Sequence, residues 1–310
     1  MGYQSILRTM KVGFMDSNYP LPAGIPEEDR QEWMHRHAAE TGCDCLQVRY
    51  PFESHDAGTL ARFQGLRDRY GMEYDIHVML PVFAVNGPDG AHIAAELRRR
   101  CRIVRELDMD MLRTGYGGLR IESSRFLRPR EAAEAQKRDY VAALKTCARI
   151  LEDEGIYLAV ENHIDFTGRE QASMFEEVDS PFVGCAMDTA NGIPVFSDTD
   201  DDIDALAPYT FTTHIKDYRI VQEVIPGRIP FMATSCAPGD GIVDIPRAVH
   251  RFARFSPFRR GLHLIVESST SAPELGDIPA ERRNELARER IDRGTAFLRR
   301  LREGTAEPEV

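Results

Sequence analysis

No apolar run in this 310-residue sequence approaches the roughly 20 residues that a membrane-spanning helix needs. The opening stretch MGYQSILRTM holds no apolar h-region, so no secretory signal is read there. Met1 and Gly2 open like an acylation site, but Ile6 stands where Ser or Thr is wanted. Positive charge is in deficit, with 39 Lys and Arg against 50 Asp and Glu, a net charge of −11 and a pI near 5.4. Such a field repels phosphate backbones, which argues against nucleic acid and an anionic membrane as partners. Cysteine is sparse. Cys43 and Cys45 form the one close pair, two apart on a predicted strand with side chains on one face, and no second pair exists to complete a zinc ribbon. Cys101, Cys147, Cys185 and Cys236 stand apart, so reduced, buried thiols in a cytoplasmic protein are expected.

What remains is ordinary for a soluble enzyme, 42% hydrophobic and 29% charged. A chain this long buries about three quarters of its unfolded surface. Short apolar runs alternate with amphipathic stretches along it. The runs are VGFMD (12–16), CDCLQVRY (43–50), YDIHVML (74–80), MDMLRTGY (109–116), IYLAVEN (156–162), FVGCAMD (182–188), FTTHIKD (211–217) and LHLIVES (262–268). They read as buried parallel strands. Helices are predicted over 27–41, 58–70, 91–107, 129–154, 173–178, 200–206, 245–255 and 279–301, with Gly155 as a C-cap before the fifth strand. Eight strands and eight helices in strict order predict one (β/α)8 TIM barrel domain over residues 1–310, with a polar, fraying tail from about 302 to 310. The connection 218–243 carries Pro226, Pro230 and Pro238 and reads as a loop covering the catalytic face.

Chemistry gathers at the ends of strands five to eight. These runs end in Glu161-Asn162-His163, Asp188-Thr189-Ala190-Asn191, His214-Ile215-Lys216-Asp217 and Glu267-Ser268. One acid at a strand end is commonplace, but adjacent barrel strands converge their ends. Glu161, Asp188 and Glu267 would repel one another if desolvated alone, so a divalent cation bound by them and His214 is expected. Three oxygen donors and one imidazole suit Mn2+ best, and Co2+, Mg2+, Fe2+ or Zn2+ are compatible. The absence of thiolates argues against structural zinc.

The motifs ENH (161–163), MDTAN (187–191), HIKD (214–217), GDGIVDI (239–245) and VES (266–268) resemble the xylose isomerase-like TIM barrel superfamily, in its sugar phosphate isomerase/epimerase branch. The resemblance implies metal binding by Glu161, Asp188, His214 and Glu267, and acid/base roles for Glu161 and Glu267. It implies an isomerase or epimerase acting on a carbohydrate-like hydroxy-carbonyl compound through an enediolate, and pairing with a second copy or another subunit. A lyase on the same scaffold is the rival: an inosose- or dehydroshikimate-type dehydratase, or an eliminating C-glycoside-cleaving enzyme. A catalytically silent binding subunit is the reading outside enzymes. Thr167 and Ile220 stand where ketose 3-epimerases carry a second Glu and a substrate Arg, although Arg219 adjoins the latter. Asn191 stands where DNA-repair relatives carry a zinc-binding histidine, which argues against endonuclease activity.

Further candidates follow from position. His163 shares a strand face with Glu161 and is expected to act as an acid/base or substrate group. Lys216, Asn191, His77 and Arg219 are expected to contact substrate. Arg113 and Arg49 are expected to pair with barrel carboxylates, and Gly239-Asp240-Gly241 to form a turn rather than a phosphate cradle.

Overall fold

A computed structural model describes residues 2–117, 130–222, 231–268 and 278–305. Strands β1 (Lys11–Met15), β2 (Cys45–Val48), β3 (Glu73–Ile76), β4 (Met111–Gly115), β5 (Tyr157–Glu161), β6 (Val183–Asp188) and β7 (Thr210–Ile215) follow one another along the chain. A hairpin of β8 (Asp217–Gln222) and β9 (Phe231–Cys236) precedes β10 (His263–Val266). The eight long-range strands pair in parallel in the order β3-β2-β1-β10-β7-β6-β5-β4. A parallel bridge between His77 and Arg113 joins the two ends, with Val78 N–H donating to Arg113 O at 2.7 Å. The chain is a (β/α)8 barrel, as the alternation predicts. Every position of β6 and β7 is buried, because helices cover one face and the barrel interior fills the other.

The outer layer comprises α2 (Arg30–Glu40), α3 (Ala57–Tyr70), α4 (Gly90–Glu106), α5 (Arg130–Glu154), α6 (Gly168–Val178), α7 (Thr199–Leu206), α8 (Ile245–Phe255) and α9 (Ala280–Glu303), preceded by a short α1 (Tyr3–Leu7) that periodicity did not reveal. Gly155 follows α5 at φ 66°, the left-handed geometry expected of it. The predicted helix at 173–178 starts earlier. Thr167 accepts from Glu170 N–H at 3.3 Å and Glu170 Oε2 accepts from Thr167 N–H at 2.9 Å, a capping box that opens α6 at Gly168.

Three other expectations are corrected. The supposed loop 218–243 contains the antiparallel β8–β9 pair, registered from Asp217 against Cys236 to Gln222 against Phe231, while Pro226 and Pro230 lie outside the described residues. The tail begins later than 302, since Arg302 and Glu303 complete α9 and Gly304 caps it; residues 306–310 lie outside the described set. Cys43 precedes β2 rather than sharing it with Cys45, although both are buried.

Inside the barrel Arg113 forms a bidentate pair with Asp75, Nε to Oδ1 at 2.9 Å and Nη2 to Oδ2 at 3.1 Å, and donates to Thr213 O at 3.0 Å. Both residues are buried, so this is the structural pairing expected of Arg113. Arg49, by contrast, is exposed just beyond β2.

Candidate metal centre

Glu161 and Asp188 are the last residues of β5 and β6, His214 lies one before the end of β7, and Glu267 follows β10. The ladder holds them level: Asp188 pairs with His214 across β6 and β7, and Glu267 N–H donates to Ile215 O at 3.2 Å. One donor atom from each of the four lies within 4.8 Å of the others. Among the described residues, Asp188 Oδ2, His214 Nδ1 and Glu267 Oε2 are buried with close charged neighbours but no aligned hydrogen bond. Buried polar atoms left in this state are costly, and a shared cation satisfies them together. The quartet therefore fits one divalent ion.

The imidazole is the most constrained member. His214 Nδ1 stands 2.8 Å from Glu267 Oε2 and 3.6 Å from Glu161 Oε1, close but not aligned for hydrogen bonds. Its Nε2 meets Gln47 Oε1, reaching across from β2. An amide oxygen can only accept, so Nε2 carries a proton and Nδ1 is the atom that faces the quartet, the one whose proton a cation would displace. Burial and the Arg113 charge act to lower the imidazole pKa, but Glu267 and Glu161 outweigh them and hold it up at about 9. Burial likewise opposes ionisation of Glu161, yet His214 brings that carboxyl down to about 2. Glu267 is shifted in the same direction, against its own burial, by His214 and Lys216. Asp188 goes the other way: burial raises it against the pull of Lys216, and the adjacent glutamate charges add to the rise.

Lys216 enters the same space. Its Nζ lies 2.7 Å from Asp188 Oδ2, 3.0 Å from Glu267 Oε1 and 3.2 Å from Asn191 Oδ1. The Asn191 amide also donates to Glu161 Oε1 at 3.1 Å, so it bridges the ammonium and the first carboxylate. Thr189 Oγ1 accepts from Lys216 N–H at 2.9 Å and donates to Lys216 O at 2.6 Å, fixing the backbone that carries the ammonium. Asn162 exchanges two hydrogen bonds with the Asp188 backbone, at 2.9 and 2.6 Å.

The glycines of 239–241 do cradle an anion, but one from their own chain. Asp217 is fully buried and accepts from the N–H groups of Tyr218, Gly239, Gly241 and Val243 at 2.8 to 3.1 Å. A Cβ at position 241 would fall 2.2 Å from Asp217 Oδ1, so glycine is required there. This staple fixes the base of the hairpin directly after Lys216.

Lys216 and Asn191 thus lie against the quartet. His77 sits at the bridge that closes the barrel, and its Nδ1 accepts from Met79 N–H at 2.9 Å. Burial and Arg113 lower its pKa, while the Glu161 charge acts in the opposite sense. His163 has a buried Nδ1 without a hydrogen-bond partner among the described residues. Arg219 lies out on β8, opposite Thr234, and the neighbouring Ile220 is about half exposed. Sequence reasoning missed Gln47, Asn162 and the Asp217 staple. Gln47 carried a signal, as a lone amide within the buried strand CLQV.

A family profile described as xylose isomerase-like TIM barrel matches residues 36–301. The chain is 24% identical over 252 residues to the 3-oxo-isoapionate decarboxylase of Pectobacterium atrosepticum, covering 81% of this chain and 80% of that protein. Its fold is similar to a xylose isomerase-like TIM barrel protein from Mycobacterium smegmatis in complex with magnesium, with TM-score 0.68, 13% identity and coverage of 96% and 98%. It is also similar to D-psicose 3-epimerase from Clostridium cellulolyticum H10 with D-tagatose, with TM-score 0.63, 14% identity and coverage of 93% and 99%. With strand order, site position and a profile match over most of its length in agreement, the chain belongs to the xylose isomerase-like TIM barrel family.

Proposed function

We propose that this chain is a divalent-metal-dependent lyase that removes carbon dioxide from a small, hydroxylated 3-oxo acid by way of an enediolate. The observation that carries the choice is Lys216, an ammonium buried against Asp188 and Glu267. With a dication held by the quartet, Lys216 makes the site neutral overall, and it adds a second positive charge beside the reacting atoms. A neutral sugar offers that ammonium no charge until its enediolate forms, whereas an acid brings a negative charge into the same site from the start.

Glu161, Asp188, His214 and Glu267 would hold a divalent cation, for which this donor set suits Mn2+ best, and that ion would supply Lewis-acid polarisation of the carbonyl and the adjacent hydroxyl. The bond from the carboxyl carbon to its neighbour breaks, its electron pair moves toward the carbonyl oxygen, and carbon dioxide leaves. One proton, delivered by Glu161 or Glu267, is then added to the carbon that lost the carboxyl group. Lys216 stabilises the oxygen on which charge develops, and Asn191 orients Glu161 beside it. Glu161 and Glu267 handle protons at the reacting carbons, and His163, His77 and Arg219 are assigned to substrate contact and proton delivery.

Two further features support the lyase. Thr167, where ketose 3-epimerases carry a second Glu, is the N-cap of α6, and exposed Ile220 replaces their substrate Arg. The similar decarboxylase from Pectobacterium atrosepticum acts on an oxo acid by name. The isomerase or epimerase reading stands second, favoured by Glu161 and Glu267 reaching the site from strands that β6 and β7 separate. Turnover of candidate oxo acids and sugars in D2O with Mn2+ distinguishes them. Released carbon dioxide with one deuterium in the product supports the lyase, and deuterium in recovered sugar or its isomer supports the second reading. Metal binding without either reaction favours the silent binding subunit.

Two expected results concern the metal itself. Gln47→Leu should weaken Mn2+ binding by about 10- to 100-fold in calorimetry, because the His214 ring loses the acceptor that sets its tautomer. Gln47→Glu, which keeps an acceptor, should not weaken it. The second result is proton-linked. Below about pH 9 the metal-free imidazole is protonated, and the cation must displace that proton. Affinity should therefore rise with pH by about tenfold per unit and level off above the imidazole pKa. Calorimetry in buffers of different ionisation enthalpy should register the released proton near neutrality; no release would contradict binding through His214.

A further inference from the structure

A cavity of about 390 Å³ opens between the segment after β1 and the end of β10, lined by residues that include Ser17, Asn18, Arg30, Glu267 and Ser268. Glu267 belongs to both this cavity and the quartet, so a small molecule seated at the quartet has this space beside it. The volume suits a small ligand. The lining groups are hydroxyl, amide, carboxylate and guanidinium, which select against an apolar occupant.

Two details give the cavity a sign. Ser268 is 1% exposed, and its Oγ is buried with no hydrogen-bond partner among the described residues although it can both donate and accept. Arg30 is held by its backbone-facing side, with Nη1 donating to Asp16 O at 3.3 Å and Tyr19 O at 3.4 Å. Its Nε meets Glu27 Oε1 at 2.6 Å, a carboxylate 74% exposed and correspondingly weak as a competitor. Nη2 makes no hydrogen bond among the described residues. Of the neighbouring acids, Glu267 lines the cavity itself, and Asp16 is buried, takes a hydrogen bond from Gln31 Nε2 at 3.1 Å, and feels both Arg30 and Arg49. The cavity thus offers an anchored guanidinium and an unused hydroxyl next to the reaction centre.

We infer that this cavity is the receptor for the acid group of the substrate, with Arg30 and Ser268 binding its carboxylate and selecting hydroxy acids over neutral polyols. This rests on the lyase reading and deepens it. The carboxyl to be lost is turned away from the quartet, and the hydroxy-carbonyl end is left to face Lys216.

The test uses the Mn2+-loaded full chain with two stable probes, D-erythronate and erythritol, in calorimetry. Wild type should bind erythronate at least about tenfold more tightly, the effect of one charge-assisted contact. Arg30→Gln and Ser268→Ala should each shrink that preference, Arg30→Gln to within about threefold, with the Mn2+ Kd unchanged. Arg30→Lys, which keeps the charge, should retain most of it. If Arg30→Gln keeps the full preference, the carboxylate sits at the metal and the receptor is misplaced. If wild type shows no preference, the inference is overturned while the metal centre stands. A chain that binds no Mn2+ refutes the lyase reading itself, before any probe is added.

Discussion

Glu161→Gln and Glu267→Gln should each lower turnover by about 10³-fold or more while leaving the barrel folded. Each substitution preserves shape and removes a charge from a site that places three carboxylates around one imidazole. An amide is a weaker donor for a divalent ion and cannot carry a proton, so metal affinity and proton transfer fall together. The two variants should differ in kind. Glu267 touches both His214 and Lys216, so its loss leaves two buried cations with less compensation and should also bring the His214 pKa down. Glu161 is farther from His214, at 3.6 Å, and is held by Asn191, so Glu161→Gln should disturb the metal-free protein less. Steady-state turnover, Mn2+ affinity and thermal midpoint with and without metal measure all three consequences. If either variant keeps near-wild-type turnover with Mn2+ bound, that glutamate has no part in the chemistry.

The quartet was legible because its members sit at strand ends, and strand ends are what apolar periodicity marks best. The barrel strands announced themselves as short runs rich in apolar and β-branched residues, VGCAMD in β6 and TFTTHI in β7, as strands buried on both faces require. What escaped depends on contacts distant in sequence. Gln47 meets His214 from 167 residues away, and nothing near either residue records the meeting. The closure at His77 and Arg113 is a single bridge between strands that look complete without it. The hairpin was hidden by the prolines and glycines around 226–241, which outweigh the β-branched residues of DYRIVQ in any local reading. The GDG stretch shows the limit of motif reasoning. Its backbone N–H groups do bind an anion, and only the fold reveals that the anion is Asp217.

Lys216→Met should separate metal binding from catalysis. The ammonium lies within 3.0 Å of carboxylate oxygens of Asp188 and Glu267, where it repels any cation the quartet receives. Removing it should tighten Mn2+ binding, measured by competition with a chelator, by about tenfold. The metal-free protein should respond in the opposite direction. Asp188 is wholly buried and loses its nearest positive charge, a change worth about 3 kcal/mol of destabilisation that added Mn2+ should recover. Turnover should nevertheless fall by about 10²- to 10³-fold, because the enediolate loses a charge placed where its own develops. Tighter metal with slower chemistry is hard to obtain from a residue that merely supports the fold, since damage to the site would weaken both. If turnover survives within a few-fold, Lys216 serves only to balance the metal-free carboxylates. An acidic substrate would then lose its main support, and the isomerase reading would take first place.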